Sequence, residues 1–263
     1  MNHNLRWLTF LLLASLAGSV PRLRGVEATE LDVPYVPTPQ AVVDRMLELA
    51  GVAPGDFLID LGSGDGRIPI TAARRHGVRG LGVDLDPVRV REARELARLA
   101  GVEDRVEFRQ QDLFDTRIAD ATVVTMYLLP VVNLKLRPRL LYELKPGTRV
   151  VSHAFRLGDW LPDHSESLED SDLFLWIVPA KVDGRWRVTA SQPFVLELEQ
   201  AFQVVRGTAI IDGRSQPLEE VTLRGAQLSF VLEGRRYQGR VDGFVIESEP
   251  GEGRVAEWRA VRN

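Results

Sequence analysis

Regular patterning begins at Thr38, where apolar residues recur at helical spacing through Met46 and Leu49 until Gly51. Thr38 as cap and Pro39 at the first helical position predict a helix start there. The short apolar run Phe57 to Leu61 predicts a first strand, and Gly66 to His76 a second helix stopped by Gly77. The alternation then repeats. Gly80 to Val83 reads as a strand with Asp84 at its acidic end, and Asp86 and Pro87 open a helix that reaches Ala100 before Gly101. Val106 to Arg109, Ala121 to Tyr127 and Thr148 to Phe155 supply three more strands. Between the last two, Pro138 and Pro146 confine a short helix to Arg139 to Leu144. Strand and helix alternating in this way predict an α/β fold, a Rossmann-like parallel sheet with helices on both faces.

Phe174 to Val178 and Trp186 to Val188, joined across Asp183-Gly184, read as an antiparallel hairpin that completes this sheet. Beyond Gln192 the pattern changes to short alternating runs: Val204 to Ile211, Ala226 to Leu232, Tyr237 to Val241, Phe244 to Ser248 and Val255 to Val261. Turns at Asp212-Gly213, Gly234 and Asp242-Gly243 punctuate them, predicting a C-terminal all-β meander packed through Phe230, Phe244 and Trp258. The expected organisation is residues 1–28 as an N-terminal targeting segment, 29–190 as the α/β domain and 191–263 as a small β-domain.

The N-terminal segment is set apart by its apolar run from Leu8 to Val20, preceded by Arg6 and followed by Pro21, Arg22 and Arg24. It reads as a signal peptide or a short membrane anchor, with residues 5–20 the part that would meet a membrane. A cytoplasmic protein with this helix buried on its main domain is the alternative. The run is shorter than the roughly 18 residues of a spanning helix.

Composition narrows the chemistry. With 33 basic against 37 acidic residues the net charge is -4, so nothing draws the chain as a whole to nucleic acid. Cysteine is absent, which removes disulfides, thiolate metal sites and any cysteine nucleophile. The four histidines show no metal-ligand spacing. His76 suits a helix end, and His153 is expected as a hydrogen-bonded core residue rather than a base.

The strongest local signal is Asp60-Leu61-Gly62-Ser63-Gly64-Asp65-Gly66, between the first strand and the second helix. Its glycines allow a sharp turn and close approach of a ligand to the backbone. The spacing is not the Gly-x-Gly-x-x-Gly of dinucleotide binders, and Asp60 and Asp65 would repel a pyrophosphate. A phosphate-free ligand carrying an ammonium and a sulfonium suits such a place. Asp84, with Leu85 beside it, is placed for ribose hydroxyls, and Asp112 after the third strand for an adenine amino group. Each aspartate also has a reading as a cap or turn residue. Their joint placement at successive strand ends, where ligands bind in open α/β sheets, favours a site.

These residues resemble the class I S-adenosylmethionine-dependent methyltransferases over roughly residues 34–188: Asp60 to Gly66 matches their first motif, Gly82-Val83-Asp84 the acidic second strand, and Gln111-Asp112 the third-strand motif. Pro34-Tyr35-Val36-Pro37-Thr38-Pro39, together with Asp60 to Arg67, resembles more narrowly the bacterial relatives of the mitochondrial protein lysine methyltransferases that act on the ATP synthase c subunit and the adenine nucleotide translocase. The resemblance implies S-adenosyl-L-methionine as cofactor, a Tyr-Val-Pro-Thr segment folded over it, a protein substrate, and a membrane tether. Strand four ends in Tyr127-Leu128-Leu129-Pro130 with Asn133, a departure from those lysine enzymes.

Methyl transfer needs a positioned acceptor, excluded water and a route for a proton. Tyr127 is the first candidate catalytic residue by position, with half-buried packing as its alternative, and Tyr35 the second through the resemblance. The absence of cysteine excludes pyrimidine C5 methylation, and Asp-Pro-Pro-Tyr and Asn-Pro-Pro-Tyr, marks of amide or adenine amino methylation, do not occur. The expected reaction is methyl transfer to a protein lysine. An exported or surface binding protein without turnover and a small-molecule methyltransferase are the alternatives. Asp159-Trp160 and the acidic run Glu166 to Asp172 read as a lid or a solvated loop, and Arg235-Arg236 as solvated turn charge.

Overall fold

The computed structural model describes residues 35–262. The expected signal peptide or anchor, residues 5–20 included, lies outside the described residues. Among those described, no helix is long and apolar enough to cross a membrane.

The first sheet has seven strands: β1 (Phe57–Leu61), β2 (Arg79–Asp84), β3 (Val106–Gln110), β4 (Val123–Met126), β5 (Arg149–His153), β6 (His164–Leu168) and β7 (Ser171–Ile177). Their order is β3-β2-β1-β4-β5-β7-β6, the first five parallel and β7 antiparallel to both neighbours. Because side chains alternate across a strand, Leu58 packs with α1 (Gln40–Leu49) and α2 (Arg67–His76), whereas Ile59 and Leu61 pack with α4 (Pro130–Glu143). Helix α3 (Pro87–Leu99) closes the β2–β3 end through Val90, Ala93 and Ala97 against Phe108. The doubly wound, Rossmann-like sheet expected from the alternation is what the chain forms.

Several local expectations change. Thr38 does not cap α1; Pro39 stands at the N-cap, and the Thr38 hydroxyl meets His153 Nδ1 at 3.1 Å instead. Helix α4 starts at Pro130 and runs through Pro138 rather than beginning after it. Pro130 is preorganised for a first turn, and the faces around Pro138 are still held by buried Val132, Leu136 and Leu140. The hairpin partner of β7 is β6, not Trp186 to Val188. The acidic run is therefore not a lid: Glu166 lies in β6 and takes a bidentate pair from Arg45 at 2.5 and 2.8 Å, and Trp160 is fully buried.

The second sheet is antiparallel and has nine strands, in the order β11-β10-β9-β8-β16-β15-β14-β13-β12. It opens at β8 (Gly184–Thr189), which pairs with β9 (Phe194–Ala201) and β16 (Arg259–Arg262). Trp186 and Val188 are thus core residues of this sheet, and the first sheet closes at Ile177. The remaining strands are β10 (Val204–Ile211), β11 (Arg214–Pro217), β12 (Glu219–Arg224), β13 (Gln227–Leu232), β14 (Arg235–Asp242) and β15 (Val245–Ser248). An all-β C-terminal region is thus present, larger than the expected meander. The sheet curls until Leu218 N–H donates to Gly207 O at 3.0 Å, beside β10. Phe230 and Trp258 pack inside with Tyr237 and Phe194. Phe244 does not: it stands after the β14 turn and is 70% exposed, so the expected core trio loses one member.

Candidate active site

The glycine turn sits where the strand order reverses, between β1 with β2 on one side and β4 on the other, the crevice in which open α/β sheets bind ligands. Gly62, Gly64 and Gly66 adopt φ of +79°, +52° and +76°, which only glycine reaches without strain. A Cβ on Gly64 would lie 2.4 Å from the Tyr35 ring, and one on Gly66 2.4 Å from Phe108. Gly64 thus lets the Tyr35 segment close over the turn, while Gly66 lets α2 pack against β3.

The cleft beside this turn encloses about 850 Å³, its mouth included. All the residues expected at the site border it except Gly66 and Asp112. Asp112 instead caps the 3-10 turn Leu113–Asp115, its Oδ1 accepting from Phe114 N–H at 2.7 Å, and Gln111 takes the place at the cleft. The pattern could not separate these neighbours, since either can follow a strand end.

The four carboxylates at the cleft have unequal environments. Asp60 is 2% exposed, and its Oδ1 accepts a 2.8 Å hydrogen bond from the Thr125 hydroxyl on the adjacent β4. Burial, with the charges of Asp84 and Asp65 adding to it, pushes its pKa up to about 7. Asp65 is different. Burial would raise it, but the Arg67 guanidinium, with Nη2 at 2.5 Å, holds it below the ordinary value. The Asp65 carboxylate is thus ionised but balanced by its ion pair with Arg67. Asp84 spans the turn, Oδ2 accepting from Gly64 N–H at 2.8 Å and Oδ1 from Asp86 N–H at 2.9 Å. Asp86 caps α3 through Val88 N–H, as its place before Pro87 predicts.

Arg67 and Arg89 also border the cleft, each already committed: Arg67 to Asp65 and the Thr38 carbonyl at 2.8 Å, Arg89 to Glu92. The Arg89 guanidinium lies 4.7 Å from the Tyr35 ring centroid. Burial first, and then Asp65, raises the Tyr35 phenol above its ordinary value, so Tyr35 serves to cover the turn better than to accept a proton. Sequence reasoning missed Arg67 and Arg89; only their spacing to Asp65 and Glu92 signals the pairing.

Across the cleft, Tyr127 follows β4. Its ring packs on His153 with centroids 3.9 Å apart and on Phe155 at 6.3 Å. Burial lowers the His153 pKa, which keeps the imidazole neutral against its neighbours. Leu128 covers Gly62: a Cβ there would come 2.8 Å from Leu128 Cδ2. An acidic cleft with its arginines paired, a glycine turn covered by Leu128 and Tyr35, and a buried carboxyl raised to about 7 fits a cationic, phosphate-free nucleoside such as S-adenosylmethionine.

Comparison with known proteins agrees. A family model described as the ANTKMT methyltransferase domain matches residues 60–164. A protein-lysine N-methyltransferase of Saccharolobus islandicus is 49% identical over 54% of this chain and 88% of its own length. The mouse adenine nucleotide translocase lysine N-methyltransferase is 40% identical over 50% of this chain, which spans 57% of that relative. The crystal structure of a Salinibacter ruber protein described as an RNA methyltransferase, in complex with S-adenosylhomocysteine, is 58% identical with a TM-score of 0.55, over 56% of this chain and 96% of that one. On its cleft, its fold and the Saccharolobus relative together, the chain belongs to the S-adenosylmethionine-dependent methyltransferases.

Proposed function

We propose that this enzyme methylates the side-chain amine of lysine in a protein. The observation that carries the reading is the acidic cleft with its paired arginines and Tyr127 on the β4 side, a setting for two cations, donor and acceptor. The lysine acceptors named for the Saccharolobus and mouse relatives support it.

S-adenosylmethionine supplies an electrophilic methyl group on a sulfonium. Asp60 would hold the donor ammonium with its buried carboxyl, and the glycine turn would let the donor approach the backbone. Tyr35 and Arg89 shield the turn from water. An acceptor amine reacts only after losing its proton to solvent, and the Tyr127 phenol, packed on the His153 ring, would accept a hydrogen bond from the neutral amine and align its lone pair.

The test is incubation of the full chain with tritiated S-adenosylmethionine and a cell extract, followed by protease or ribonuclease. The reading expects protease-sensitive label that acid hydrolysis releases as methyllysine. Label that ribonuclease removes would transfer to this chain the activity given for the Salinibacter protein.

A further inference from the structure

The turn between β9 and β10 leaves the second sheet and docks on the first. Phe202 stands at its tip with φ +56°. Its ring stacks on Trp160 with centroids 6.0 Å apart and 15° between planes, and the Arg137 guanidinium of α4 lies 5.5 Å from its centroid. Gln203 fixes the same contact by two hydrogen bonds: Oε1 accepts from the Trp160 indole N–H at 2.9 Å, and Nε2 donates to the Leu161 carbonyl at 2.7 Å. Trp160 is fully buried and its carbonyl accepts from the Trp176 indole at 2.8 Å.

Residues 154–161, the connection leaving β5, are thus pinned at their far end by a pair from the other sheet. At the near end, Phe155 stacks on Tyr127, 23° from parallel. The Phe155 carbonyl accepts from Ser152 Oγ at 2.7 Å and Asn133 Nδ2 at 3.3 Å. Ala154 holds φ +66°, a conformation that a non-glycine residue keeps only when its surroundings impose it. Apart from one bridge between Leu157 and Trp160, the connection has no ladder of its own, so its order comes from these contacts together with those of Arg137 to the Leu157 carbonyl at 3.0 Å and to Asp159, and of Ala154 N–H to the Asp172 carbonyl at 2.7 Å.

We propose that the β9–β10 turn is a positioning element for the acceptor side of the active site. Phe202 and Gln203 hold the 154–161 connection, and through Phe155 they hold Tyr127 where the acceptor meets it. The proposal rests on methyl transfer beside Tyr127. The donor side, built from Asp60 on β1, Gly64 in the turn and Asp84 on β2, touches none of Phe202, Gln203, Trp160 and Phe155, so the second sheet acts on the acceptor more than on the donor.

Phe202→Ala, Gln203→Ala and the conservative Phe202→Tyr in the full chain test it, by hydrogen exchange of amides 154–161, S-adenosylhomocysteine affinity, and kinetics with poly-L-lysine as acceptor. For Phe202→Ala, exchange at 154–161 rises about tenfold or more. Acceptor KM rises by about the same factor with a smaller change in kcat, donor affinity stays within roughly twofold, and Phe202→Tyr restores all three. Unchanged exchange, or donor affinity falling in step, overturns the proposal. Should Phe202→Ala fail to fold, Gln203→Ala, which removes two hydrogen bonds and leaves the ring, decides by the same criteria. If the parent chain does not methylate poly-L-lysine, the lysine reading suffers, and the exchange and donor-affinity results alone decide the role of the turn.

Discussion

Asp60 and Thr125 face each other across the β1–β4 pair, and the threonine hydroxyl at 2.8 Å is the hydrogen bond held by a carboxyl that burial raises to about 7. A carboxylate left so costly in the donor-free fold is one that a cationic ligand can relieve.

Because the folded-state value lies above the ordinary 3.8, the stabilisation from this group is present below pH 4 and is lost as pH rises through 7. Asp60→Asn is therefore expected to stabilise the donor-free chain at pH 8 by roughly 2–4 kcal/mol. The gain shrinks toward pH 4. Calorimetric Tm of both chains across that range checks the sign, and the same variant is expected to lose donor affinity.

Asp84→Ala removes the acceptor of two backbone N–H groups, Gly64 and Asp86, as well as a carboxylate at the cleft. Donor affinity is expected to fall by roughly 1–3 kcal/mol. Tm falls with it, because the two N–H groups lose their partner. Titration and thermal melts separate the two losses.

Gly64→Ala places a methyl group where the Tyr35 ring now lies, on a backbone at φ +52°. The expected result is a folded chain with donor affinity reduced about tenfold or more, against about 1 kcal/mol of backbone strain. Gly66→Ala, whose methyl group would meet Phe108, is expected instead to lower Tm; melts of the two variants side by side make the comparison.

In the second sheet, Phe230→Ala is expected to destabilise by roughly 3–5 kcal/mol, whereas Phe244→Ala stays within about 0.5 kcal/mol. Phe230 is fully buried beside Tyr237 at 5.0 Å; Phe244 is solvent-exposed. Urea unfolding of both variants measures the contrast.

The donor side was legible because its signals are local. Positive-φ glycines, a capping aspartate before a proline and an acidic strand end each work within a few residues of themselves. What the sequence hid depends on distant partners. Thr38 looks like a cap until His153, far along the chain, takes its hydroxyl. Trp186 and Val188 alternate correctly for a strand, yet the alternation does not say which sheet receives them. The buried alternation of Phe194, Leu196 and Leu198 in β9 is a strand signal that falls where the pattern changes character, between the two sheets. Asp65 read as free charge because the pairing with Arg67 depends on side-chain direction.

The central claim is that the glycine turn and its carboxylates form a pocket for a cationic nucleoside. Calorimetric titration of the full chain with S-adenosylmethionine and S-adenosylhomocysteine, with ATP as the phosphate-bearing control, tests it directly. One site with micromolar affinity, about tenfold or more weaker in Asp60→Asn, and no binding of ATP is the predicted result. Absence of heat with both S-adenosylmethionine and S-adenosylhomocysteine, or binding of ATP in the same cleft, contradicts it.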